Sequence, residues 1–157
     1  MRLTDRAEAA VLDQLHVRPI TPDEQARWNQ LVREHHYLKN AHLVGERLCY
    51  VAEYQGQWLA LLGWSSAAYH LKGREAWIGW TPNQRQARLA LVANTARFCL
   101  LSEPGQYPNL ASRALALNCA RLSADWQAAY AHPILLAESF VDTQLFRGTA
   151  YKASGWQ

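Results

Sequence analysis

A chain of 157 residues and 17.8 kDa can bury roughly two thirds of its surface on folding, enough for a core without metal or disulfide staples, and its size fits one domain, residues 1–157. Half the residues are hydrophobic, 18% are charged and the mean hydropathy is −0.27, which excludes a disordered, collagen-like or low-complexity chain. The net charge of +3 is too small for the whole-molecule field to imply nucleic acid by itself.

Charge distribution and cysteine usage narrow this further. From Gln55 to Ser102 the sole acid is Glu75, against Lys72, Arg74, Arg85, Arg88 and Arg97, and arginine outnumbers lysine 13 to 3. Its planar fork suits phosphate or carboxylate, so a nucleotide or nucleic-acid partner is one reading and a solvated basic face the other. Cys49, Cys99 and Cys119 have no metal-like spacing and read as buried free thiols in a reducing compartment. No apolar run approaches the ~20 residues of a membrane span, and Met1–Ala10 lacks the apolar stretch of a signal peptide, so the expected setting is the cytoplasm with no membrane.

In chain order, residues 1–15 carry Leu3, Ala7, Ala10 and Val11 at helical spacing and form an N-terminal helix or arm; His16–Ile20 is a short strand. Thr21-Pro22-Asp23-Glu24 has the composition of a capping box and starts a helix to about His35, with Trp28, Leu31, Val32 and His35 on one face. Arg47–Tyr54 and Gln57–Ser65 are period-2 strands about the turn Gln55-Gly56, an antiparallel hairpin. Arg74–Trp80 reads as a third strand, Gln84–Val92 as a short helix and Thr95–Leu101 as a buried strand. Asn109–Ser123 is helical, with Ala124–Tyr130 as its possible continuation. Pro133–Phe140 is a strand, Val141–Arg147 a loop or turn, and Tyr151–Trp156 the last element. The order predicts an α/β (α+β) class with a mixed, largely antiparallel sheet flanked by helices, not a doubly wound parallel sheet.

Four segments carry candidate chemistry. His35, His36 and Tyr37 stand at a helix C-terminus, where residues ~100° apart cannot all face the core; they suit general acid/base work, or merely cap carbonyls. Ser65 ends the second hairpin strand but lacks a G-x-S-x-G elbow, so a hydrolase is poorly supported. Asn109, Ser112 and Arg113 open a helix whose first-turn amides could receive an anion. Glu138, in an otherwise apolar strand and followed by Asp142, must pair with an arginine, with Arg97 and Arg113 the expected partners, or act in a site. No histidine spacing supports a metal, and no residue pattern names a cofactor.

The element order is also that of the GNAT (acyl-CoA N-acyltransferase) fold, and the tail Gly148–Trp156 resembles the closing segment of that superfamily. The glycine-rich loop by which GNAT enzymes usually wrap coenzyme A is missing, which counts against acetyl-CoA. More specifically, His36-Tyr37-Leu38, Trp64-Ser65, Trp77-Ile78-Gly79-Trp80, Asn94–Phe98, Pro108–Leu115, Asp125-Trp126, Glu138–Asp142 and Gly148–Ala153 together resemble the A subunit of the Druantia anti-phage defence system, over about Leu31 to the C-terminus. Lys39 follows His-Tyr-Leu where that family usually has glycine, and Gly155 precedes Trp156 where asparagine is common. The resemblance implies a GNAT-like domain tied to defence or mobile DNA, with a helicase or transposase as partner, and brings no settled reaction. Transposase-linked relatives continue into a second domain, so this chain is expected to act alone, with a separate partner, or as a cut-down relative serving another task such as small-molecule biosynthesis.

Two functions are therefore expected in competition. In one, a cleft bounded by His35, His36, Tyr37, Ser65, Arg97, Ser112, Arg113 and Glu138, with Asn109, Asp142 and Tyr151 nearby, performs group transfer or acid/base chemistry on a nucleotide, DNA base or other polar substrate. There His36 and Glu138 exchange protons within ~3 Å of each other, and Arg97 and Arg113 hold the anionic part. In the other, the groove and the Lys72–Arg97 surface bind nucleic acid without catalysis.

Overall fold

The structure, a computed structural model, describes residues 3–144 and 147–157. Residues 1 and 2 of the N-terminal arm, and 145 and 146 of the expected 141–147 loop, lie outside the described residues. Its first element is the helix α1 (Leu3–Asp13), which leads into β1 (His16–Pro19). At Thr21 the backbone N–H donates to Glu24 Oε1 at 2.9 Å, and a single 3-10 turn over Pro22–Glu24 runs into α2 (Gln25–His35). Glu24 is held in place by Arg18, whose guanidinium lowers the carboxyl pKa to about 2.

The hairpin forms as expected from β2 (Arg47–Tyr54) and β3 (Gln57–Ser66). β3 is the middle strand of five and is buried on both faces, which is why its sequence is nearly all apolar. Ala60, Leu62 and Trp64 join the core under α1 and the later long helix; Leu61 joins the core of Trp28 and Val32 on α2. Gly63 is required between them, since a Cβ there would meet Trp28 Cη2 at 2.9 Å.

The expected strand Arg74–Trp80 is not one. Arg74–Ile78 lie in α3 (Lys72–Ile78), ended by Gly79 at φ 74, followed by α4 (Pro82–Arg88) and a 3-10 turn over Leu89–Leu91. The physical reason is local: Gly79 supplies the left-handed C-terminal residue of a helix. Thr81-Pro82-Asn83-Gln84 then repeats the capping chemistry of Thr21–Glu24, Thr81 Oγ1 accepting from Gln84 N at 3.2 Å and Gln84 Oε1 from Thr81 N at 2.8 Å.

After these helices come β4 (Val92–Leu100), α5 (Leu110–Tyr130), β5 (Leu136–Ser139) and α6 (Thr149–Ala153). The expected continuation past Ser123 is one unbroken helix of 21 residues. The sheet runs β1-β2-β3-β4-β5, antiparallel throughout except for the parallel pair β4 and β5. α1, α5 and α6 share the core of one face and α2 that of the other. Among the described residues no helix is long and apolar enough to cross a membrane. Trp28, Trp58, Trp64 and Trp126 are buried, whereas Trp77 on α3 is 67% exposed.

Candidate functional site

The parallel pair is short. β4 and β5 bond only from Val92 opposite Leu136 to Thr95 opposite Ser139; β4 then continues to Leu100 while the chain beyond Ser139 departs. Two strands that part leave a fork, and here it holds a cavity of about 480 Å³. Thr95, Ala96, Phe98, Cys99 and Leu100 line one side, residues 140–142 and 147–151 the other, with His35, His36 and Tyr37 from the end of α2 and Ala111 from the first turn of α5. Its wall mixes rings (Phe98, Phe140, Tyr37, Tyr151) with few charges, Asp142 and Arg147, the composition of a site that takes a flat, partly polar molecule.

His36 is the buried member of the helix-end pair, 5% exposed, while His35 is exposed. The helix stops at His36, whose own N–H still bonds Val32 O at 2.9 Å and whose carbonyl accepts Lys39 N at 2.9 Å. That turn puts Lys39 at φ 52, in the left-handed region that favours glycine, at a strain of about 1 kcal/mol for lysine. Leu38 N–H donates to His36 Nδ1 at 3.2 Å. Burial, then the positive charges of Arg97 and Lys39, lower the His36 pKa to about 4, so the imidazole is neutral at pH 7. Tyr151 is raised from its usual pKa, chiefly by burial, and is a neutral hydroxyl.

Glu138 has a partner the sequence reading did not find. Arg74 Nη1 donates to both its carboxylate oxygens, at 2.9 and 3.1 Å, and Arg74 Nη2 to Ala68 O at 2.6 Å. Neither expected partner serves: Arg97 donates to the backbone carbonyls of Asn40, Ala96 and His42, at 2.6 Å to Ala96 and 3.0 Å to His42, and Arg113 reaches Leu12 O at 3.4 Å. The reason is the misread strand, because a strand would have pointed Arg74 elsewhere whereas α3 turns it onto β5. Glu138 does not line the cavity, and its bonds go to Arg74 rather than to His36.

At the start of α5, Asn109 N–H donates to Glu8 Oε1 at 2.6 Å and Asn109 Nδ2 to Glu8 Oε2 at 3.3 Å. The anion at this helix end is thus the protein's own carboxylate, brought by α1. Ser112 Oγ turns back to Asn109 O, and Ser65 is buried with its hydroxyl near Ser66 O at 3.4 Å. Of the expected site residues, the structure brings His35, His36, Tyr37, Asp142 and Tyr151 together and leaves Ser65, Arg97, Asn109, Ser112, Arg113 and Glu138 outside the lining. Arg147 lines it too, as do Thr95, Phe98 and Thr149, which the sequence reading placed only in the family blocks and not among the site residues. Arg147 had a signal, standing next to the Gly148-Thr149 block. Among the described residues no cluster of three or more His, Cys, Asp or Glu could hold a metal.

Residues 5–157 match the family model for Druantia protein DruA. The chain belongs to the DruA family. The match begins in α1, well before Leu31, so Glu8 and the lining residues of the fork all lie within the DruA region. Membership of the DruA family implies a role in a defence system. No curated protein matches the chain.

Proposed function

We propose that the fork between β4 and β5 is the substrate site of a GNAT-like domain that performs group transfer or acid/base chemistry on a nucleotide, DNA base or other polar substrate within a defence system, with residues 1–157 acting as one unit. The observation that carries this reading is the cavity itself, where His36, Tyr37, Asp142, Arg147 and Tyr151 converge. A volume of about 480 Å³ suits a nucleotide-sized molecule, and the aromatic rings offer stacking surfaces. Arg97 and Lys39, which have no carboxylate partner among the described residues, donate to backbone carbonyls of Glu34, Asn40 and His42 around the end of α2, so the local field favours an anionic ligand. A parallel pair that splays beside a helix N-terminus is also the arrangement GNAT enzymes use, here with Glu8 at that terminus in place of an open anion site.

The nucleic-acid module is supported by one observation, the exposed Trp77 on α3, the helix that also carries Lys72. Against it, three of the five mid-chain cations are held internally: Arg74 by Glu138, Arg85 by Glu75, and Arg97 by backbone carbonyls. Calorimetric titration with nucleoside monophosphates and with single-stranded DNA separates the two. Saturable nucleotide binding weakened by Asp142→Asn and Arg147→Ala, and indifferent to Trp77→Ala, is expected. DNA binding that falls steeply with salt and is lost with Trp77→Ala and Lys72→Ala would establish the module instead.

A further inference from the structure

We propose that His36 serves the fork as a hydrogen-bond donor through Nε2–H, directed at a carbonyl or phosphoryl oxygen of the substrate, and does not exchange protons with it. This rests on the fork being the substrate site. A neutral imidazole has one lone pair and one N–H, on opposite sides of the ring. The Leu38 amide already donates to Nδ1, so the lone pair is there and the proton is on Nε2. A general base needs its lone pair free for the substrate, and that condition is not met. A general acid would have to be recharged as imidazolium, which burial and the neighbouring Arg97 and Lys39 oppose.

The ring is also fixed where it stands. Its residue closes α2 through His36 N to Val32 O, and closes the next turn through Lys39 N to His36 O, both at 2.9 Å, while Tyr37 packs at 4.6 Å between ring centroids. A donor held this way needs no reorganisation when charge develops on an acceptor oxygen, the condition under which such donors contribute most. Among the described residues, Asp142 is the one carboxylate of the lining. The substrate class follows: it presents an acceptor oxygen, rather than a proton to be removed, to the end of α2.

Two measurements on the full chain test this. Long-range ¹H–¹⁵N correlation spectra should show His36 with Nδ1 bare and Nε2 protonated, unchanged from pH 8 to pH 5.5; the opposite tautomer, or titration near pH 6.5, overturns the proposal whatever the ligand. Calorimetry with guanosine 5′-monophosphate, which offers a ring carbonyl, then compares His36→Gln, whose amide reaches the place of Nε2, with His36→Asn, whose amide reaches only that of Nδ1. A loss of about tenfold in His36→Asn, recovered to within about threefold in His36→Gln, is expected. Equal affinity of wild type and His36→Asn, or equal loss in both variants, overturns it. Absence of any nucleotide binding by the wild type counts against the assigned function, while the spectra still decide the role of His36.

Discussion

At the scale of single residues, one histidine and one ion pair set measurable behaviour. His36 has its pKa lowered to about 4 in the fold, against about 6.5 unfolded, so the unfolded chain binds the proton first as pH falls. The stability it contributes is therefore complete above pH 6.5 and is lost toward pH 4. Chemical denaturation of wild type and His36→Gln should show their difference shrinking by about 2 kcal/mol between pH 7 and pH 5, whereas a constant difference would mean that His36 titrates normally. The loss from Glu24 lies lower, between its unfolded value and about 2, and does not overlap most of this window. Glu138 and Arg74 form the second case, with side chains 11% and 3% exposed. Removing one member leaves the other charge buried, so Glu138→Gln and Arg74→Met should each lower stability by about 3 kcal/mol, and the double variant Arg74→Met/Glu138→Leu by less than the sum of the two. Thermal melts that leave Glu138→Gln within a degree of wild type would contradict this.

At the scale of elements, α1 is joined to α5 by more than apolar packing. Val11 and Leu15 enter the core with Leu110 and Ala114, while Glu8 receives the amide of Asn109 at the helix start. A carboxylate at a helix N-terminus satisfies a donor and opposes the positive end of the dipole. Glu8→Ala is expected to cost about 1–2 kcal/mol and to raise amide exchange at residues 109–112 before that at the centre of α5. Uniform exchange along the helix would show that Glu8 has no special part in holding its start. The segment between β3 and β4 is held differently, by charge: Arg74 to Glu138 beneath α3, and Arg85 to Glu75 at 2.8 Å between α4 and α3, with Arg85 also 4.7 Å over the Tyr69 ring.

At the scale of the whole molecule, at least five of the thirteen arginines hold the fold together. Arg18 bridges Glu24 and Glu53, Arg121 holds Asp125 and the Val17 carbonyl, and Arg74, Arg85 and Arg97 tie loops and helices to the sheet. Burial governs the thiols in the same way: Cys99 is pushed up to about 12, Cys119 up to about 11, and Cys49 is raised. Iodoacetamide at pH 8 should therefore modify the native chain at less than a tenth of the rate of the urea-unfolded chain, followed by intact mass. Fast labelling of the native protein at Cys99, which lines the fork, would show that the cavity admits and activates the reagent.

Local patterns determined much of this in advance. The alternation and the Gln55-Gly56 turn define the hairpin, Thr21–Glu24 defines the start of α2, and the ordered blocks from His36 to Ala153 carry the family, because each depends on residues close in the chain. The burial of His36 beside exposed His35 was legible only as a choice between them. Arg74–Trp80 has apolar spacing compatible with strand or helix, and only Gly79 and the second capping box distinguish the two. What tertiary structure alone decided is pairing across the fold: Arg74 with Glu138, 64 residues apart, and Glu8 with Asn109, 101 apart. A lone charge in an apolar run announces that it needs a partner but not which one, since several arginines satisfy the same electrostatics. The fork has the same origin, because it depends on where the pairing of β4 with β5 stops, Thr95 opposite Ser139, a contact between distant parts of the chain.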